Sequence, residues 1–266
     1  MNDKSAAYPL TPTQQGMLFH HLSDPHSGVD IEQIVCSLEE ALDVERLQQA
    51  WAQVLARHPA LRTRFRWEDV EEPQQEVEPV VYLSLRTEDW RQRPAEAQAA
   101  ALQALLDEER SRGFDLRQAP CLRVTAVRTG DERWEVLWSF HHIICDGRSF
   151  PLVLGEVFSC YDALGRGEAF ERDTPPDVAA HARHVSGLPL VGAEPFWRER
   201  LAGFESPTAL PAQPVAGKPT GRGHAERALP EALTDRLRAL ASERGLSLNT
   251  ILQGGWAVLL ARWAGE

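Results

Sequence analysis

Trp134-Glu-Val-Leu-Trp-Ser-Phe140 runs straight into His141-His142-Ile143-Ile144-Cys145-Asp146-Gly147, and a helical pattern begins near Ser149. The first stretch is apolar and aromatic, as a buried strand requires. Two histidines at its end, with an aspartate four residues after the second, place a proton-transferring imidazole at a strand end. Histidine is the side chain whose ordinary pKa lies near neutrality, which suits it to taking a proton from an attacking amine or hydroxyl. Side chains on a strand alternate faces, so His141 and His142 are expected to point in opposite directions, and only one can face a given cavity. A metal needs converging ligands, and a third is missing, so no metal is expected. A pair of satisfied core histidines is the other reading of this motif. Asp146-Gly147 at the strand-to-helix turn weighs against it, because glycine admits a ligand or backbone closely and a buried carboxylate needs a partner.

Working outward, residues 31–38 read as a strand. Asp43 is a candidate N-cap for a helix to His58 that carries Leu47, Trp51, Val54 and Leu55 on one face. Residues 61–67 and 80–85 are strand-like, separated by an acidic turn at Glu71-Glu72-Pro73. Pro94 opens a helix with Leu102, Leu105 and Leu106 as its apolar stripe, stopping near Gly113. Residues 122–127 and 134–140 form a hairpin around Thr129-Gly130-Asp131, and a helix over 149–161 follows the histidines. The alternation is that of an α/β sandwich lobe over residues 8–170. Beyond Gly165, residues 177–203 look helical, with Phe196, Trp197 and Leu201 available for packing. The stretch 205–223 is rich in Pro, Gly and Ala and reads as a linker. Two further helices are expected, 231–244 closed by Gly245, and 248–263 with an apolar face of Ile251, Leu252, Trp256, Leu259 and Leu260. Gly254-Gly255 inside the second weakens it, so close packing on another backbone is expected there.

The chain has 266 residues, 43% of them apolar, enough for one large core or two smaller ones. Its net charge is −11, from 28 basic and 39 acidic residues, which disfavours a nucleic-acid partner. Cys36, Cys121, Cys145 and Cys160 are scattered without metal spacing and read as reduced, mostly buried thiols. The N-terminus has no apolar signal core, and no run approaches a membrane span, so a cytoplasmic protein without a membrane partner is expected.

Phe140-His-His-Ile-Ile-Cys-Asp-Gly-Arg-Ser149 resembles the signature of condensation domains of nonribosomal peptide synthetases, relatives of chloramphenicol acetyltransferase. Leu10-Thr-Pro-Thr-Gln-Gln-Gly-Met-Leu-Phe-His20 is similar to that family's opening motif. Arg57-His-Pro-Ala-Leu-Arg-Thr-Arg-Phe65 is similar to its second, with Pro59 where glutamate is usual. Phe114-Asp-Leu116, Pro195 to Gly203, and Leu248 to Trp256 resemble further family segments in the expected order. The resemblance implies a chloramphenicol acetyltransferase-like two-layer sandwich lobe over residues 1–175. Residues 176–266 would be a crossing segment, a linker and the start of an incomplete second lobe made of helices, so the chain reads as a truncated fragment.

The activity it implies is amide formation, an acyltransferase-type reaction between two thioesters. Their phosphopantetheine arms are supplied by donor and acceptor peptidyl carrier proteins beside an adenylation domain; the lobe binds no cofactor of its own. His142 matches the functional histidine, as general base or as a group that positions the amine. His141 would be structural. Asp146 would form a buried ion pair with Arg62, and a plain helix-start cap is the other reading of that aspartate. Gly147 would keep the acceptor's path open, or be a turn glycine. Leu10-Thr-Pro and Gly147-Arg-Ser-Phe150-Pro look like domains taking a D-configured donor. His20-His21-Leu22 with Gly28 and Asp30 approaches the motif of dual epimerisation/condensation domains, although Val29 separates the last two. An epimerisation domain and a carrier-binding module without turnover are the other readings. Apolar helix faces left uncovered after residue 229 imply a dimer or an exchanged helix.

Overall fold

The structure is a computed structural model that describes residues 7–25, 27–208 and 226–265. The chain divides into two compact units, Met1–Pro189 and Leu190–Glu266.

In the first unit the elements run β1 (Ala7–Pro9), α1 (Pro12–Ser23), β2 (Ile31–Leu38), α2 (Val44–Arg57), a 3-10 turn (Pro59–Arg62), β3 (Thr63–Arg66) and β4 (Gln74–Val77). There follow β5 (Arg86–Asp89), α3 (Ala95–Arg112), β6 (Leu122–Gly130), β7 (Arg133–His141), a second 3-10 turn (His142–Ile144), α4 (Phe150–Gly165) and α5 (Val178–Ser186). The main sheet has the order β2-β7-β6-β5, antiparallel except for the β5–β6 pair; a small sheet has the order β1-β4-β3. β7 is central, so its residues alternate between two buried faces. Trp138 and Phe140 pack with Trp51, Val54, Val153 and Val157 of α2 and α4. Leu137 packs the other way, with Leu105 of α3 and Trp90. The α/β lobe is as expected, with α3 adding cover on the second face.

Sequence pattern explains most of these elements. Asp43 caps α2 by accepting from the Arg46 N–H at 3.0 Å, and the Trp51 ring meets Trp138 edge-on with centroids 5.2 Å apart. The 80–85 stretch is extended, and Val81, Leu83 and Leu85 pack on the core while Val80 and Tyr82 are exposed. It forms no strand, however. The polar residues on either side of it do, as β4 and β5, because they find ladder partners in β1, β3 and β6. The first compact unit runs on past residue 175 to Pro189. The reason is α5, which lies against β1, buries Ala182 and places the Ser186 hydroxyl on the Leu10 carbonyl at 3.3 Å.

The second unit contains α6 (Ala193–Arg200), α7 (Glu231–Glu243) and α8 (Leu248–Ala264), with α7 and α8 in contact. Most of the expected linker lies outside the described residues. Leu252, Trp256, Leu259 and Trp263 on α8 are exposed. The close backbone packing expected at Gly254-Gly255 is not found, since a Cβ at either position would meet nothing within 4 Å among the described residues.

Candidate active site

β7 carries the signature to its working position. His141 is its last residue, paired with Ile31 of β2, and its N–H reaches the Cys121 carbonyl at 3.0 Å. Beyond it the chain turns, so strand alternation does not decide where His142 points. The His142 N–H donates to the Asp30 carbonyl at 2.7 Å, and the Cys145 N–H closes the turn on the His142 carbonyl at 3.3 Å.

The two rings are held in different ways. His141 is 1% exposed, and its Nδ1 accepts from the Ile143 N–H at 3.2 Å, so its own proton sits on Nε2. Burial, with smaller contributions from the neighbouring His21 and His142 rings, pushes its pKa down to about 3. It is neutral at physiological pH and meets His21 edge-on at 5.3 Å. His142 is half-buried, with Nδ1 2.7 Å from the Cys145 carbonyl oxygen. A carbonyl only accepts, so Nδ1 carries the proton and Nε2 keeps a bare lone pair.

Asp146 and Arg62 do not meet. One oxygen of the Asp146 carboxylate braces the turn before α4, accepting from the Ser149 hydroxyl at 2.6 Å, the Ser149 N–H at 2.8 Å and the Arg148 N–H at 3.1 Å. The Ser149 hydroxyl, outweighing partial burial, and then the backbone N–H groups hold it below the usual carboxylate range. Arg62 spends its guanidinium on backbone carbonyls. It donates to Leu55 at 2.9 Å and Ala56 at 3.3 Å, at the C-terminal end of α2, and to Glu78 and Pro79 beyond. The last carbonyls of a helix lack partners within it and attract a cation, which accounts for Arg62. The expected ion pair is therefore replaced by bonds within the turn before α4 at Asp146 and by bonds to the end of α2 at Arg62. At Gly147 an added Cβ would meet nothing within 4 Å, so no part of the described chain requires glycine there.

A mostly apolar cavity of about 290 Å³ adjoins the turn, lined by Leu61, Ile144, Cys145, Leu152 and Val178, with His58 at its edge. There Glu156 binds His58 Nε2 at 2.7 Å and Arg57 Nε at 2.9 Å through one carboxylate oxygen. Cys145 is buried, and burial, then the Asp146 charge, pushes its thiol up to about 12, so it is not a nucleophile at neutral pH. Among the described residues no group of three or more His, Cys, Asp and Glu could hold a metal, and no helix is long and apolar enough to cross a membrane.

Two residues of the site escaped the sequence reading, Gln14 of α1 and Gln75 of β4, which contact each other, Gln14 also donating to the Ile143 carbonyl. The one signal within reach was Thr11-x-x-Gln14, a capping box.

Comparison with known proteins shows the family and the fold. A family model described as "Condensation domain" matches residues 4–266. A linear gramicidin synthase of Brevibacillus parabrevis is 38% identical over 276 residues, covering 100% of this chain and 4% of that protein. A mycosubtilin synthase of Bacillus subtilis is 33% identical over 260 residues, covering 97% of this chain and 10% of that protein. The chain thus spans a small part of the curated relatives it matches. Among solved structures, the first condensation domain of the calcium-dependent antibiotic synthetase superposes with TM-score 0.83 at 20% identity, over 99% of this chain and 63% of that one. The starter condensation domain of rhizomide synthetase superposes with TM-score 0.67 at 22% identity, over 77% of this chain and 50% of that one. At these identities the superpositions speak for a shared fold.

Proposed function

We propose that this chain, which belongs to the condensation-domain family, forms amide bonds between two acyl or aminoacyl thioesters tethered to donor and acceptor carrier proteins. It would do so as the histidine-bearing part of a larger cytoplasmic synthetase that also holds an adenylation domain. The acceptor amine attacks the donor thioester carbonyl, a C–N bond forms and the C–S bond breaks. The amine proton passes to His142 Nε2 and from there to the departing pantetheine thiolate. The observation that carries this is the Nδ1–H bond to the Cys145 carbonyl, which leaves Nε2 as an acceptor at a strand end. Such a base contributes about 10²–10⁴-fold in rate.

Each neighbour has a part in this scheme. His141, neutral and buried, keeps the strand end in register. Asp146 braces the turn that leads into α4, Arg62 secures the end of α2, and Gly147 leaves room beside the turn for the acceptor. The phosphopantetheine arms come with the carriers, and the lobe contributes no cofactor. A D-configured donor is supported by Leu10-Thr-Pro and Gly147-Arg-Ser-Phe150-Pro. The exposed apolar face of α8 supports association with a second copy of the chain, by contact or by helix exchange.

The test is to mix donor-loaded and acceptor-loaded carriers with the whole synthetase and weigh the acceptor carrier. A gain equal to the donor acyl group is expected; free hydrolysed donor with no gain on the acceptor would refute amide formation.

A further inference from the structure

The sequence motifs leave Gln14 and Gln75 without a role, yet they form a closed pair of side chains against the signature turn. Their amides face each other reciprocally. Gln14 Nε2 donates to Gln75 Oε1 at 3.0 Å, and Gln75 Nε2 donates to Gln14 Oε1 at 2.9 Å. Neither amide can flip. Gln14 Oε1 also accepts from the Thr11 N–H at 2.9 Å, at the start of α1, and Gln75 Nε2 spends its second proton on the Pro9 carbonyl at 3.0 Å. Gln75 is 2% exposed, so water does not compete for its amide, while Gln14 is half-buried. With every other direction taken, the second proton of Gln14 Nε2 goes to the Ile143 carbonyl at 3.1 Å.

Ile143 is the middle residue of the turn that presents His142. The turn has one closing backbone bond of its own, Cys145 N–H to the His142 carbonyl at 3.3 Å, and the His142 ring is set by the Cys145 carbonyl at 2.7 Å. A shift of the Ile143 peptide therefore moves both ends of the bond that fixes the ring's tautomer. We propose that Gln14 and Gln75 are positioning residues: a reciprocal amide clamp, anchored on α1 and the small sheet, that holds the 142–144 turn so that His142 keeps its proton on Nδ1 and its lone pair on Nε2. This rests on the function proposed above and adds to it the groups that aim the base.

The experiment compares wild type with Gln14→Leu, which removes the donor to Ile143, and with Gln75→Leu, which breaks the clamp but leaves that donor. Gln14→Leu lowers kcat by about 10- to 100-fold with KM within about twofold, because orientation rather than binding is lost. In ¹⁵N spectra of the resting protein the His142 ring changes from a single Nδ1–H form to a mixture of tautomers. Gln75→Leu shows the same changes, smaller. A Gln14→Leu protein with kcat within about twofold of wild type, or with an unaltered His142 tautomer, overturns the proposal, as does an equal rise in KM. Should Gln14→Leu fail to fold, the Gln75→Leu spectrum decides: a shifted His142 signal supports the clamp and an unshifted one removes it. The spectra need no turnover, so absence of amide formation by wild type would count against the functional reading alone.

Discussion

The end of β7 and the turn that follows it hold two adjacent histidines in opposite ways. His141 is fixed by a sheet. It is paired with β2, bonded to the Cys121 carbonyl, buried, and neutral because burial pushes its pKa down to about 3. His142 is fixed by a three-residue turn and one carbonyl, and stays half-buried with Nε2 bare. The difference teaches that neighbours decide which nitrogen of the same residue type carries the proton and which keeps the lone pair. At His141 a backbone N–H takes the Nδ1 lone pair; at His142 a carbonyl takes the Nδ1 proton.

The largest effect separates the two in catalysis. His142→Ala is expected to lower the rate of amide formation at least about 10²-fold without unfolding the lobe. His141→Asn, which keeps an acceptor for the Ile143 N–H, should lower it far less. Rates within tenfold of each other for the two variants would erase the contrast.

Acid sharpens it next. The His141 ring is held at about 3, against the ordinary histidine value of 6.5 when unfolded. The unfolded chain therefore binds more protons between these limits, and stability falls as pH drops from 6.5 toward 3. The slope from this ring is at most about 1.4 kcal/mol per pH unit. Unfolding midpoints followed from pH 7 to pH 4 should decline more steeply in wild type than in His141→Asn. Parallel curves would show that the ring is not held neutral.

The smallest effect concerns Asp146. Its bonds to the Arg148 and Ser149 N–H groups in the turn before α4 are of the kind a cap residue makes and are worth about 1 kcal/mol, within the range 0.5–2. A buried ion pair would instead lose about 3–5 kcal/mol on removal of one partner. Denaturant unfolding of Asp146→Ala distinguishes these, and a loss above about 3 kcal/mol would restore a pairing with Arg62.

The legibility of the sequence follows the same physics. In α2, α3 and α4 and in β2, β6 and β7 the apolar pattern was readable because it reports a buried face. The 80–85 stretch shows what periodicity leaves out. Val81, Leu83 and Leu85 alternate inward as in a strand, yet a ladder depends on a partner's backbone, which side chains do not encode. For the same reason Gln74–Val77 and Arg86–Asp89 gave no strand signal. His142 was legible as a motif, but its tautomer was not, because that is set by a carbonyl three residues on. Gln14 and Gln75 lie 61 positions apart and carry neither charge nor apolar pattern, so only the fold brings them together. The resemblance paired Asp146 with Arg62, whereas Asp146 bonds within the turn before α4 and Arg62 bonds to the end of α2.

The most direct measurement is the ¹⁵N signature of the two rings at neutral pH, assigned with the single variants His141→Asn and His142→Ala. The expected result is opposite tautomers, with the proton on Nε2 of His141 and on Nδ1 of His142. A His142 ring carrying its proton on Nε2 would leave no lone pair for the amine, and the account of His142 as the base would be contradicted.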